Sequence, residues 1–205
     1  MKKFMALLLV AGMTLSLTAC GGSTDTAKTD QADGKDTFTV GFDQDFPPFG
    51  YVGDDGEFTG FDIEMATECA ARMGKKIVLQ PIDWDAKDME LEAGTIDCIW
   101  NGFTMNGRED QYTWTDPYMD NSQVVVVKKD SGINTLADLA GKVVEVQKES
   151  AAETALNDEE HADLTASFAQ LLSVGEYNTA FMDLESGAVD AVAIDIGVAQ
   201  FQIEG

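Results

Sequence analysis

Between Trp100 and Asp110 the chain reads WNGFTMNGRED. An apolar, strand-like run ends in small and polar residues and then presents one arginine, Arg108, beside Glu109 and Asp110. The chain has 13 Lys+Arg against 37 Asp+Glu and a formal net charge of -24. In that setting a guanidinium has two uses. It can pair with its acidic neighbours at the surface, where such pairs contribute little. It can also sit in a recess and receive a carboxylate, because its planar fork makes two parallel charge-assisted hydrogen bonds. Other reactive candidates are few. His161 is the single histidine and lies in the polar run NDEEHAD, which reads as a solvated helix face rather than a catalytic base. No nucleophile or zinc motif appears, so no enzyme, metal or cofactor is expected. Cys69 (ATECAARMG) and Cys98 (TIDCIW) lack metal-ligand spacing; they read as small apolar residues, although an exported context permits a disulfide between them.

The elements that must position Arg108 follow from periodicity. FTVGF (38–42) reads as a strand, and GFDIEMATECAARMG (60–74) as a helix with Ile63, Ala66, Ala70 and Met73 on one face and Gly74 as its stop. KIVLQPI (76–82), the helix-like DAKDMELEAG (85–94) and TIDCIW (95–100) follow. Strands alternating with helices imply parallel pairing. A second series comprises SQVVVVKK, a short helix TLADLAG, a strand KVVEV, helices SAAETAL and EYNTAFMDLESG, and a strand AVDAVAI (188–194). MELEAGTIDCI (89–99) matches MDLESGAVDAV (182–192) without a gap at Met, Leu, Glu, Gly and Asp, which predicts two lobes of one design. Val124–Val127 would suit a strand crossing between them and acting as a hinge.

At the N-terminus, MKKFMALLLVAGMTLSLTAC carries Lys2 and Lys3, an apolar stretch from Phe4 to Leu17 and small residues before Cys20, the pattern of an export signal. Leu17, Thr18, Ala19 and Cys20 resemble the bacterial lipobox, which implies cleavage before Cys20 and lipid on its thiol. From Gly21 to Asp36 there is no aliphatic residue larger than alanine and no aromatic, so the stretch is expected to be a disordered tether spanning on the order of 20 Å. The expected organisation is a signal peptide over 1–19, a tether over 20–36, a first lobe over 37–127 and a second lobe over 128–205. The strong negative charge excludes nucleic acid and anionic lipid as direct partners.

The lipobox, DFPPFGY, GEFTGFDIEMA, GTIDCIWNGFT, Arg108 followed by TDPY, and DAVAID resemble the polar amino-acid solute-binding proteins of ABC importers over residues 38–205. That family includes histidine-, lysine/arginine/ornithine- and glutamine-binding proteins. The resemblance implies an α/β, type II periplasmic-binding-protein fold, with two Rossmann-like lobes joined by hinge strands and a ligand between them. A free amino acid carries a carboxylate and an ammonium on one carbon, and the site must answer both. By resemblance Arg108 binds the carboxylate, helped by Thr104 and by Ser150 from the second lobe. Asp195, with the backbone carbonyl at Gly102, binds the ammonium; Asp195 could instead cap the helix that follows. Phe46 and Trp84 match positions that sandwich the ligand side chain, though Trp84 is equally suited to the core. Asp43 and Gln147 match positions at the ligand's distal end. The family's run from threonine to arginine is one residue longer than TMNGR here, so Gly107 is expected to compensate, and Thr104 and Asn101 carry over less directly.

The implied function is extracytoplasmic capture of a polar or basic L-amino acid and its delivery to an ABC transporter permease. The implied protein is a monomer held to the outer face of the bacterial cell membrane by its lipid alone. Two other uses share the architecture: a ligand-sensing ectodomain, and a cyclohexadienyl or arogenate dehydratase-like enzyme. VAQFQIEG breaks off as the second lobe enters another helix, so the return to the first lobe is expected to be missing.

Overall fold

The computed structural model describes residues 35–204; the expected signal peptide, the lipobox with Cys20 and nearly all of the expected tether lie outside them. Strand β1 (Thr37–Phe42) leads into β2 (Asp45–Phe46), β3 (Gly50–Val52) and β4 (Phe58–Thr59), then helix α1 (Phe61–Arg72), β5 (Lys76–Pro81), α2 (Lys87–Ala93) and β6 (Cys98–Ile99). After a connection over 100–122 come β7 (Gln123–Val127), β8 (Val143–Gln147), α3 (Ala151–Asn157), α4 (Ala162–Ser167), β9 (Gln170–Val174), α5 (Tyr177–Ser186), β10 (Ala191–Asp195) and α6 (Ile196–Glu204). TLADLAG supplies a single 3-10 turn over Leu136–Leu139, closed by a capping box between Thr135 and Asp138. Among the described residues no helix is long and apolar enough to cross a membrane.

Three sheets result, with strand orders β5-β1-β6, β7-β10-β8-β9 and β2-β3-β4. In the first, β1 pairs in parallel with both neighbours. In the second, β8 runs parallel to β9 and β10. These are the pairings expected where helices carry the chain back over a sheet. The exception is β7, which lies antiparallel to β10 with Val127 opposite Ala191 and Gln123 opposite Asp195. The Val124–Val127 run therefore lies in an edge strand of the second sheet. The small β2-β3-β4 sheet has strands of two or three residues, too short for alternation to announce them.

The internal repeat is a repeat of structure. After α2, Gly94 takes a left-handed conformation and donates to Glu90 and Leu91; after α5, Gly187 does the same toward Asp183 and Leu184. Three residues on, the aspartate of each copy reaches the start of the adjoining parallel strand. Asp97 Oδ2 accepts from the Thr39 N–H at 2.8 Å, and Asp190 Oδ2 accepts from the Val143 N–H at 2.9 Å. Their own N–H groups donate to the carbonyls of Thr39 and Val143. This two-way bond occupies Asp97, so TIDCIW enters the ladder no earlier than Cys98. Of the matched residues, Leu, Gly and Asp form one helix-stop and strand-start device, built once in each sheet.

Two apolar clusters hold the second sheet. Leu139, Val144, Val146, Ala152, Leu156 and Ala193 fill one face. On the other, Tyr177, Leu184, Val192 and Ile194 pack with Phe46 and Phe49 from the β2–β3 turn. The turn thus reaches the second sheet, and Phe46 stands 6.0 Å from the Tyr177 ring.

Candidate ligand-binding site

The segment 100–110 leaves β6 and folds back on itself. The Arg108 N–H donates to the Met105 carbonyl at 2.8 Å with Gly107 at φ 78, a tight turn whose third residue must be left-handed. Gly107 is thus the residue that lets this turn form. The turn aims Arg108 inward, where it is only 7% exposed. One guanidinium nitrogen donates to the Thr104 carbonyl at 3.2 Å. Another donates to the Glu149 carbonyl at 3.2 Å and to Thr154 Oγ1 at 3.1 Å. Its plane lies 5.3 Å from the Phe103 ring centroid. Glu109 and Asp110 are exposed and take no part in these bonds, so the surface-pair alternative for Arg108 does not describe this geometry.

Asp195 closes β10 in the second sheet and is buried. Its carboxylate accepts hydrogen bonds from the Asn121 side-chain amide and, at 2.8 Å, from that of Gln123. Asn121 also donates to Thr104 Oγ1 at 3.1 Å. Burial pushes the Asp195 carboxyl up, while the two amides and the charge on Arg108 pull it down.

Nine of the ten residues expected at the site surround one pocket: Phe46, Trp84, Asn101, Gly102, Thr104 and Arg108 from the first-sheet side, with Gln147, Ser150 and Asp195 from the second. Phe103 and Ala151 complete it. Trp84 is 7% exposed and meets Phe103 edge to face at 5.1 Å, so it serves as core and wall together. Ser150 Oγ accepts from the Glu153 N–H at 3.1 Å and caps α3, which leaves its hydroxyl proton free to donate.

The tenth residue, Asp43, faces elsewhere. It lines an adjoining cavity that shares Trp84 with the first and is otherwise edged by Asp45, Asp83, Asp85 and Glu176 among others. Gln147 stands between the two, donating to Asp43 Oδ2 at 2.6 Å and to the Gly175 carbonyl at 2.9 Å. Asn101 Oδ1 accepts from the Asp43 N–H at 3.0 Å. Burial raises the Asp43 carboxyl to about 6 against the pull of the Asp45 N–H and Gln147. Asp43 thus bears on the pocket through Gln147.

Several residues here escape a sequence reading. Phe103 sits between two expected site residues in NGFT, and that placement was its one visible signal. Asn121, Gln123, Glu149 and Thr154 have none, because each acts through a contact more than forty positions distant. Asp62, in the first turn of α1, is fully buried; it accepts from the Tyr118 hydroxyl at 2.9 Å, which in turn accepts from the Gly102 N–H at 3.1 Å. Cys69 and Cys98 are half-buried free thiols. Burial, with smaller contributions from Asp97 and Cys69, pushes the Cys98 thiol up to about 12.

Asp62 gives a prediction about stability. Burial raises its carboxyl from 3.8 to about 6. Between those values the folded chain holds a proton that the unfolded chain has released, so this stabilisation is present below pH 4 and is lost as pH rises to 6. The unfolding free energy in urea is therefore expected to rise as the buffer is taken from pH 7 to pH 5, and Asp62→Asn protein should show a rise smaller by about 1 kcal/mol. An equal rise in the Asn protein would contradict the assignment to Asp62.

Residues 38–182 match the bacterial extracellular solute-binding proteins, family 3. The chain is 36% identical over 148 residues to the arginine-binding extracellular protein ArtP of Bacillus subtilis (strain 168), covering 72% of this chain and 56% of that protein. It is 31% identical over 194 residues to the L-cystine-binding protein TcyJ of Escherichia coli (strain K12), covering 93% and 69%. A substrate-binding protein of an ABC uptake transporter from Streptococcus pneumoniae, solved with bound histidine, superposes with a TM-score of 0.78 at 36% identity, over 82% of this chain and 70% of that one. The chain thus spans little more than half the length of the arginine-binding relative. The two sheets, the pocket between them and these likenesses agree on the type II periplasmic-binding-protein fold. By its match over residues 38–182, the chain belongs to the bacterial extracellular solute-binding proteins, family 3.

Proposed function

We propose that this chain captures a polar or basic L-amino acid between its two lobes and delivers it to the permease of an ABC importer, acting as a monomer outside the cell and held to the membrane by lipid on Cys20. The observation that carries the reading is that Arg108, on the connection that leaves the first sheet, and Asp195, at the end of β10 in the second, are both buried and line one pocket. An α-amino acid bridging them would bind the closed form better than the open one, which is what drives closure. The names of the relatives, which refer to arginine, cystine and histidine, support an amino-acid ligand. With β7 paired to β10, we infer lobes of about 37–122 and 123–205 in place of 37–127 and 128–205.

The side chain is read from the walls. Phe46 and Trp84 offer aromatic faces, and the adjoining cavity is edged by five carboxylates, of Asp43, Asp45, Asp83, Asp85 and Glu176. Ion pairing and cation-π contact there favour arginine, lysine, histidine and glutamine over glutamate and aspartate, while Gln147 also suits an uncharged polar ligand such as cystine. A thermal-shift screen of the twenty amino acids and cystine is expected to single out one or more of the favoured set. At a hundredfold excess over Kd the stabilisation is about 2.7 kcal/mol. Glutamate as the strongest stabiliser would overturn the ordering, and no shift with any of them would overturn the reading.

A further inference from the structure

Lys87 begins α2 and is 2% exposed, an uncommon condition for a lysine. Its ammonium makes two contacts. It lies 5.4 Å from the centroid of the Trp84 ring, and it pairs with Glu149 Oε2 at 3.0 Å. Trp84 is a wall of the pocket on the first-sheet side; Glu149 belongs to the turn between β8 and α3, on the other side.

Glu149 is itself unusual. It is the single described residue other than glycine with a positive φ, at 58°. A side chain in that conformation is retained where surrounding contacts over-determine it, and here three do so. The Glu149 carbonyl accepts from Arg108 at 3.2 Å, its carboxylate takes Lys87, and its N–H donates to Glu153 Oε2 at 2.6 Å. The left-handed turn lets one residue present backbone and side chain together to two cations of the other lobe. A second ion pair across the same cleft, Lys148 with Asp85 at 2.7 Å, is half-exposed and contributes less.

We propose that Lys87 is a positioning residue of the cleft, which through Glu149 ties the Trp84 wall to the second lobe so that the wall and lobe closure are set together. The inference rests on the amino-acid reading only for its consequence; the tie itself concerns the protein without ligand. Opening the cleft would separate Lys87 from Glu149 and return both charges to water, so the pair biases the open–closed equilibrium without touching the solute. Ligand affinity then scales with the fraction of molecules already closed.

The test is small-angle scattering of the ligand-free protein, comparing wild type with Lys87→Met, Glu149→Gln and the double variant, and with Lys128→Met as a lysine lost away from the cleft. Each cleft variant is expected to lower the ratio of closed to open molecules about tenfold, since the pair is buried on one side and half-exposed on the other. The double variant should be no more open than either single one, Lys87→Arg should recover much of the closure, and Lys128→Met should match wild type. L-arginine titrated into the same set should bind more weakly in proportion to the closure lost. Superimposable scattering for wild type and Glu149→Gln, or effects that add in the double variant, would overturn the proposal even if Lys87→Met failed to fold. Scattering that changes as expected while L-arginine binds to none of the proteins would uphold the tie and count instead against a basic amino acid as ligand.

Discussion

Arg108→Ala protein is expected to bind its preferred amino acid about 100- to 1,000-fold more weakly than wild type. The α-carboxylate would enter a closed pocket with its one cationic partner gone, and leaving a buried charge unpaired costs about 3–4 kcal/mol at the lower end of the usual range, which corresponds to two to three orders of magnitude in Kd. Arg108→Lys should recover only part of this. It restores a charge but not the planar fork, and the guanidinium already satisfies the Thr104 and Glu149 carbonyls and Thr154 Oγ1 while stacking on Phe103. A single ammonium cannot serve those acceptors and a carboxylate as well. Isothermal calorimetry on protein with a wild-type circular dichroism spectrum is the measurement. A Kd within threefold of wild type in the Ala protein would remove Arg108 from the site.

Asp195→Ala is expected to cost a similar amount, about two orders of magnitude in affinity, for the complementary reason. The ligand's ammonium would meet the amides of Asn121 and Gln123 with no negative charge between them, and both amides would lose the acceptor they now share. Asp195→Asn separates charge from shape. It should bind nearly as weakly as the Ala protein while folding as stably as wild type. The same carboxylate predicts a pH dependence. Because burial raises its pKa, the ionised form that an ammonium needs is depleted as pH falls, so affinity should drop on acidification. Asp43, raised to about 6, titrates in the same direction for a basic side chain. The share of the pH dependence that disappears in Asp195→Asn therefore belongs to Asp195, and no change in that protein would mean the ammonium is held elsewhere.

Much of this was written in local patterns, and the reason is physical. Helices, strands and caps follow from periods of a few residues, so α1, β1, β5, β8 and β10 lie where the apolar spacing puts them. The repeated Leu, Gly and Asp read as one device used twice because a helix stop and a strand start are local events. The roles expected of Arg108 and Asp195 came from the family resemblance, and residue type shows only that a guanidinium can take a carboxylate and a carboxylate an ammonium. What tertiary structure alone decided is everything that depends on which backbone lies alongside. A run of valines specifies a strand but not its partner, so the antiparallel seat of β7 beside β10 was not legible in Val124–Val127. Lys87 reads as an exposed helix lysine until α2 is docked, and only then do Trp84 and Glu149 surround its ammonium. Asp62 likewise becomes a buried carboxyl with a raised pKa only when the chain folds, and its partner Tyr118 lies fifty-six positions away. Residue identity sets which interaction a side chain can make, whereas burial and distance set whether it makes it, and those two quantities exist only once the chain has closed on itself.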